Sequence, residues 1–264
     1  MYYTTTDNLN LYYEIKGNPA APRKILFLNG VSQSTVAWNI MISAYEEDFQ
    51  LILCDFIFQG QSDKKGPVRN FDQHAEDIAG LLISLGSAKT TVIGISYGSL
   101  VAQHLVLNNP ELVDKLVLLS TFAHKTAYFE AIELAWERAL DSGGYPLFLD
   151  IMLPTVLSER YFNNPLIPIF NLKTSRTGVN TDAGALRKLM QATKQRPDYR
   201  ERLKAVRQPT LIIHGEKDLL LPVHMARSVA EAISGSRLEI IPRAGHTLNL
   251  EAGPECNALI QPFL

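Results

Sequence analysis

The sequence has little cysteine, no long apolar run and no excess of charge of either sign. Cys54 and Cys256 are the only cysteines among 264 residues, so a disulfide framework is excluded, and their apolar neighbours favour buried free thiols. Lys and Arg number 25 against 27 Asp and Glu, and this net charge of −2 gives no basic surface for nucleic acid or anionic membrane. No apolar run approaches the roughly 18 residues of a membrane span.

The amino terminus and the histidines narrow the class of protein further. The stretch from Met1 to Asp7 has neither the basic start nor the apolar segment of a signal peptide, so we expect a cytoplasmic protein. The histidines and cysteines are scattered without metal-ligand spacing. We therefore expect neither a metal nor an organic cofactor, and a small molecule rather than nucleic acid or membrane as the partner.

Short apolar runs of strand length alternate with helical patterns in the first part of the chain. Ile25–Leu28 and Leu51–Cys54 are continuous apolar runs, which are typical of strands covered on both faces. Asn70, with Gln73 three places on, is predicted to cap the start of a helix that ends at Gly86. This order predicts an α/β fold with a mostly parallel, doubly wound sheet.

The pattern changes over residues 121–207, where strand-like runs disappear. The alternation returns at Thr210–Ile213 and Arg237–Ile241, both of which are predicted strands. An insertion of this length is far too long for an ordinary loop. We therefore predict a core built from residues 1–120 and 208–264, with residues 121–207 inserted as a helical lid.

One predicted strand leads into a helix through the pattern G-x-S-x-G. In this context the pattern is typical of a nucleophile elbow, in which a sharp, strained turn exposes the hydroxyl of the serine. Glycines on either side let the strand and helix backbones approach each other. The strand is Thr91–Ile93, the motif is Gly94-Ile95-Ser96-Tyr97-Gly98, and the helix is expected from about Tyr97 to Asn108.

A serine hydroxyl is a poor nucleophile at pH 7 without a base, and candidate partners follow the lid. The strand Thr210–Ile213 leads to Glu216 and Asp218, and the next strand leads to His246. Open α/β sheets place their ligands at these carboxyl ends of strands. The chain order of serine, aspartate and histidine is the order of an α/β-hydrolase triad.

With these motifs in this order, the chain resembles the α/β-hydrolase fold superfamily over almost its whole length, least of all in the lid. The resemblance implies that Ser96 is the nucleophile, His246 the general base and Asp218 the acid that orients it. Glu216 is a neighbouring alternative for the acid, two places earlier than usual in the family. The acid position that some members use after an earlier strand holds Ser120 here, which favours Asp218.

The resemblance also implies an oxyanion hole made of two backbone N–H groups. One is expected from Tyr97 and the other from Val31, in the loop after the strand Ile25–Leu28. Most family members have His-Gly at the start of this loop, where this chain has Asn29-Gly30. We further predict substrate contacts from Asn29, Phe148 and Met152. The apolar stripe that contains the last two is explained either by helix packing or as a wall for an acyl or alkyl group.

The sequence thus predicts a serine hydrolase that cleaves a carboxylic ester or lactone through an acyl-enzyme intermediate. Two short features resemble different subfamilies. Asn29-Gly30-Val31 with Trp38 is similar to 3-oxoadipate enol-lactonases. The segment Asp55–Ser62, in which Phe58 replaces the first glycine of D-x-x-G-x-G-x-S, resembles hydroxyacyl transferases. Acyl transfer to an alcohol or thiol is therefore one alternative, and a ligand-binding protein without catalysis is another. The expected partner is a small ester, lactone or thioester.

Overall fold

The computed structural model describes residues 1–179 and 182–264, and its strands form one sheet. The strands are β1 (Tyr2–Thr4), β2 (Asn10–Gly17), β3 (Lys24–Leu28), β4 (Gln50–Cys54), β5 (Thr90–Ile95), β6 (Val113–Leu119), β7 (Thr210–Gly215) and β8 (Arg237–Ile241). They lie in the order β1-β2-β4-β3-β5-β6-β7-β8. Only the pairs β1–β2 and β2–β4 are antiparallel among the described strands. The predicted α/β class with a mostly parallel, doubly wound sheet is confirmed.

Helices connect the parallel strands and cover both faces of the sheet. The predicted start of the second helix is confirmed, because the Asn70 side chain accepts from Gln73 N and the Gln73 side chain accepts from Asn70 N, both at 2.9 Å. In the described ranges the helices are α1 (Asn39–Ile42), α2 (Phe71–Ser84), α3 (Tyr97–Asn108), α4 (Ala127–Val156), α5 (Glu159–Asn163), α6 (Ile169–Val179), α7 (Ala183–Gln195), α8 (Arg200–Leu203), α9 (Val223–Ala232), α10 (Leu248–Glu251) and α11 (Gly253–Ile260).

The apolar runs in the sequence reflect a core on each face of the sheet. Successive strand residues point to opposite faces, so Ile25 and Phe27 enter the core beneath α1, α10 and α11. Leu26 and Leu28 enter the other core, which also contains side chains of α2, α3, α9 and the lid. Because both faces are buried, these strands carry no polar alternation. The two cysteines are buried free thiols, as predicted, one in each core.

The described part of residues 121–207 contains helices, α4 to α8, and no strand. Residues 180 and 181 of the predicted lid lie outside the described residues. Helix α4 is interrupted at Gly143 and Gly144, whose backbone angles are not helical. We propose that residues 121–207 form the lid, and the absence of strands from the described part of this range supports the proposal. No helix in the described ranges combines the length and the apolar character needed to cross a bilayer.

Buried hydrogen bonds from Arg196 fix the far end of the lid to the core. Its guanidinium donates to Gln103 Oε1 at 2.7 Å and to the Ala123 carbonyl at 3.3 Å, and its Nε lies 3.2 Å from His104 Nε2. Burial lowers the pKa of Arg196 to about 9. A hydrogen-bonded buried cation is costly to displace, so this contact holds the lid against α3.

Candidate active site

Ser96 lies at a strained turn between β5 and α3. Its backbone has φ 52° and ψ −116°, an unfavourable conformation for a residue with a side chain, and its N–H donates to the Leu119 carbonyl at 2.9 Å. The flanking glycines are required by close backbone contacts. A Cβ on Gly98 would lie 2.2 Å from Leu28 O, and one on Gly94 would lie 2.5 Å from the oxygen of Gly98. The turn therefore has the geometry of a nucleophile elbow.

Asp218, rather than Glu216, contacts His246. The histidine Nδ1 lies 2.7 Å from Asp218 Oδ2, and the other carboxylate oxygen accepts from Leu221 N at 2.8 Å. Glu216 is exposed and instead accepts from Arg243 N at 3.0 Å, where it stabilises the turn after β8. With its Nδ1 directed at Asp218, the imidazole is left with Nε2 for a reaction partner.

The loop that carries His246 is held by the lid and by a serine. The Val156 carbonyl, at the end of α4, accepts from His246 N at 3.1 Å and from Thr247 N at 3.0 Å. Ser120 Oγ donates to the His246 carbonyl at 2.6 Å. The residue at the alternative acid position thus positions the histidine loop, and the position of the histidine depends on the lid.

A second buried imidazole lies behind Asp218, and the sequence analysis gave it no role. His214 Nε2 lies 2.7 Å from the Leu221 carbonyl and 3.4 Å from Asp218 Oδ2. Burial lowers the pKa of His214, so its ring is neutral and donates Nε2–H toward these oxygens. This donor places partial positive charge beside the buried aspartate. Within the described residues, no group of three or more His, Cys, Asp or Glu side chains could hold a metal ion.

Ser96 and His246 border one cavity, whose free volume is about 50 Å³. No hydrogen bond joins their side chains among the described residues, and contacts of this kind often tighten only when substrate is bound. Most of the wall is apolar and comes from the lid and the start of α3. It includes Leu100, Phe122, Phe129, Trp136, Met152 and Met190. The cavity suits a small, largely apolar group next to the serine.

Tyr97 and Val31, the two residues expected to supply backbone N–H groups, both border the cavity together with Ser96. Tyr97 is the first residue of α3, so its N–H has no acceptor within the helix. Val31 lies in the loop after β3, and its N–H likewise has no acceptor among the described residues. N–H groups without an acceptor, in residues that border the same cavity as a serine, can stabilise negative charge on a substrate oxygen.

The loop that carries Val31 is held by a side chain that the sequence analysis missed. Gln59 Nε2 donates to the Gly30 carbonyl at 2.8 Å and to the Val31 carbonyl at 3.2 Å. Asp55 Oδ1 accepts from Thr35 N at 2.8 Å, further along the same loop. Gln59 belongs to the segment that departs from D-x-x-G-x-G-x-S. A polar residue in this unusual segment was the sequence signal that could have pointed to its role.

Of the three predicted substrate contacts, only Met152 borders the cavity. Asn29 is fully buried, and its amide is occupied: it donates to Cys54 O at 2.8 Å and accepts from Trp38 Nε1 at 2.8 Å. Phe148 is also fully buried and packs edge-on against Trp136, one layer behind the wall. We correct both predictions: Asn29 and Phe148 support the site from outside it.

The lid also contributes an arginine that the sequence analysis did not select. Arg176, on α6, borders the cavity and donates from Nη1 to Ser32 Oγ at 3.1 Å. A neighbouring cavity of about 190 Å³ is lined by the same arginine, by Ser32 and by Gln33. These three residues therefore line both spaces.

The fold is that of the α/β hydrolases. The chain matches the alpha/beta hydrolase fold family over residues 24–253 and belongs to it. The predicted α/β-hydrolase fold is thereby confirmed.

Known relatives extend over nearly the whole chain. "Putative carbamate hydrolase RutD" of Klebsiella pneumoniae is 27% identical over 251 residues, which cover 93% of this chain and 92% of that protein. The crystal structure of an alpha/beta hydrolase enzyme from a Medee basin deep-sea metagenome library is similar with a TM-score of 0.90 and 25% identity, covering 100% of this chain and 96% of that one. The enol-lactonase from Burkholderia xenovorans LB400 has a TM-score of 0.90 at 21% identity, covering 100% and 99%, and is similar in fold.

Proposed function

We propose that this hydrolase cleaves a carboxylic ester or lactone with Ser96 as nucleophile, His246 as general base and Asp218 as the residue that orients the base. The observation that carries the proposal is the 2.7 Å contact between His246 Nδ1 and Asp218 Oδ2 beside a serine at a strained turn. A carboxylate at Nδ1 selects the imidazole tautomer whose Nε2 can accept a proton.

The proposed reaction begins with attack of Ser96 Oγ on the substrate carbonyl while His246 Nε2 takes the hydroxyl proton. The N–H groups of Val31 and Tyr97 hydrogen-bond to the developing oxyanion, each worth about 3–4 kcal/mol in comparable sites. The carbon–oxygen bond to the leaving group then breaks, and His246 returns the proton to the departing oxygen. Water, deprotonated by the same histidine, releases the acid and restores the serine.

The substrate class is tested by comparing kcat/KM for p-nitrophenyl butyrate, a six-membered lactone and a p-nitrophenyl N-alkyl carbamate. We expect the ester or the lactone to be cleaved at least about tenfold faster than the carbamate, because nitrogen donation makes a carbamate carbonyl less electrophilic. Preference for the carbamate would contradict the ester assignment. Carbamate hydrolysis is the second candidate function, favoured by the name of the Klebsiella relative.

Acyl transfer uses the same residues and differs only in the acceptor. Product analysis in water with an added alcohol separates the two reactions. The hydrolase proposal predicts free acid as the main product, and ester synthesis that outruns hydrolysis would favour the transferase.

A further inference from the structure

One face of α4 presents an acidic side chain to the cavity between two aromatic rings. Phe129, Glu133 and Trp136 all border the cavity, and their spacing of four and three residues places them on the same side of the helix. Glu133 is 3% exposed. Neither hydrolysis of an ester nor positioning of the triad, as described above, gives this carboxyl group a task.

Among the described residues, the carboxyl group of Glu133 has no hydrogen-bond partner. Its buried Oε2 makes no hydrogen bond to them, and neither does the buried Nε1 of Trp136. The nearest cations are engaged elsewhere, since Lys194 pairs with Glu137 and Lys125 donates to the Lys194 carbonyl. Burial raises the pKa of Glu133 to about 8. Buried polar groups are nearly always hydrogen-bonded, so an unpaired one in a ligand cavity indicates a missing ligand group.

The surroundings of the carboxyl favour an ammonium group as that ligand. A carboxylate supplies the counter-charge, and aromatic faces attract cations, as the rings of Phe129 and Trp136 could here. Arg176, the cation of the same cavity, forms no ion pair with Glu133 among the described residues and instead contacts Ser32. Arg176 is therefore not the counter-charge of Glu133 in this structure.

We propose that Glu133 is a specificity-determining residue that binds a primary ammonium group of the substrate. The proposal rests on the proposed function, because it identifies a substrate feature for the same cavity. When a neutral amine enters, the proton of the Glu133 carboxylic acid moves to the amine nitrogen, and the two remain as an ion pair. When the ammonium form enters, that proton passes to solvent.

The test uses the Ser96→Ala protein, which cannot form an acyl-enzyme, in phosphate buffer at pH 7. Butylamine hydrochloride and butan-1-ol are titrated separately, and tryptophan emission reports binding. The chain has 2 Trp, of which Trp136 borders the cavity and Trp38 is buried beside Asn29. We expect the amine to bind at least about tenfold more tightly than the alcohol.

Variants in the same background assign the preference. Glu133→Leu and Glu133→Gln should each reduce amine affinity about tenfold or more and leave alcohol affinity within about twofold, because neither side chain can become a carboxylate when the amine binds. Glu130→Gln is the matched control, since Glu130 is exposed on the same helix and should keep the full preference. Thermal unfolding checks that every variant is folded.

Equal affinity for amine and alcohol, or a preference that survives in Glu133→Leu, would overturn the proposal. The result is independent of the hydrolase assignment. Amine binding in a protein that hydrolyses no ester would support Glu133 and contradict the proposed function. Ester hydrolysis by the unmodified chain, with no preference for the amine, would support the proposed function and contradict the role of Glu133.

Discussion

Replacing Ser96 by alanine is expected to reduce the hydrolysis of p-nitrophenyl butyrate by a factor on the order of 10⁴ to 10⁶, as the loss of a triad nucleophile does elsewhere. The variant lacks the hydroxyl that we propose attacks the carbonyl. Binding and the oxyanion N–H groups remain, so the KM should change far less than kcat. Steady-state kinetics, corrected with enzyme-free blanks, measure kcat and KM.

The same variant should remain folded. The Ser96 hydroxyl makes no hydrogen bond among the described residues, and alanine meets the same strain at φ 52° as serine does. We therefore expect a thermal midpoint within a few degrees of the original. Retention of more than about a tenth of the activity in a folded Ser96→Ala protein would contradict the nucleophile assignment.

Replacing Asp218 by asparagine is expected to lower kcat about 10⁴-fold, a magnitude measured for the same change in a chymotrypsin-type triad. The reason lies in the two carboxylate oxygens. Oδ1 accepts from Leu221 N, so the asparagine oxygen takes that position and its NH₂ group faces His246 Nδ1. Because Nδ1 must then accept, the ring carries its proton on Nε2 and cannot take one from Ser96.

Glu216→Gln is the matched control for that experiment. The Glu216 carboxylate stabilises the turn at Arg243 and does not contact the histidine, so kcat should change by less than about threefold. A loss of activity in Glu216→Gln as severe as in Asp218→Asn would contradict the assignment of Asp218 as the residue that orients His246. Chemical shifts of the His246 ring nitrogens provide a direct readout of the tautomer in each variant.

Local signals in the sequence predicted the elbow and the strands around it. Each of these signals acts over a few residues: the capping pair at Asn70, the apolar strands and the glycines around Ser96. Hydrogen bonding or burial restricts each of these short segments to one conformation. The order of strand ends then places Asp218 and His246 on the same edge as the serine, because parallel strands end together. These features could be derived without knowledge of distant packing.

Side-chain direction in the lid could not be predicted in this way. Phe148 and Met152 lie one turn apart on α4, yet only the methionine borders the cavity, whereas Phe148 packs against Trp136. Glu133 was not selected because an acidic residue on a helix is expected to face solvent. The predicted substrate contact from Asn29 was wrong because its side chain is hydrogen-bonded to partners in other segments, such as Trp38.

The substitution at Phe58 illustrates how a family pattern can persist without its usual residue. Where the common motif has glycine, Phe58 keeps a positive φ of 82°, a costly conformation for a residue with a side chain. Its ring lies under Lys188 of α7, with the ammonium 4.7 Å from the ring centre. We infer that this lid contact offsets part of the strain, a compensation that no local pattern reveals.

Labelling with a fluorophosphonate is the measurement that tests the nucleophile most directly. The reagent phosphonylates an activated serine with loss of fluoride, and tandem mass spectrometry locates the adduct. The account predicts one adduct per chain, on Ser96, with labelling lost after heat denaturation and strongly slowed in His246→Ala. A folded protein that stays unlabelled, or carries its adduct on another residue, would contradict it.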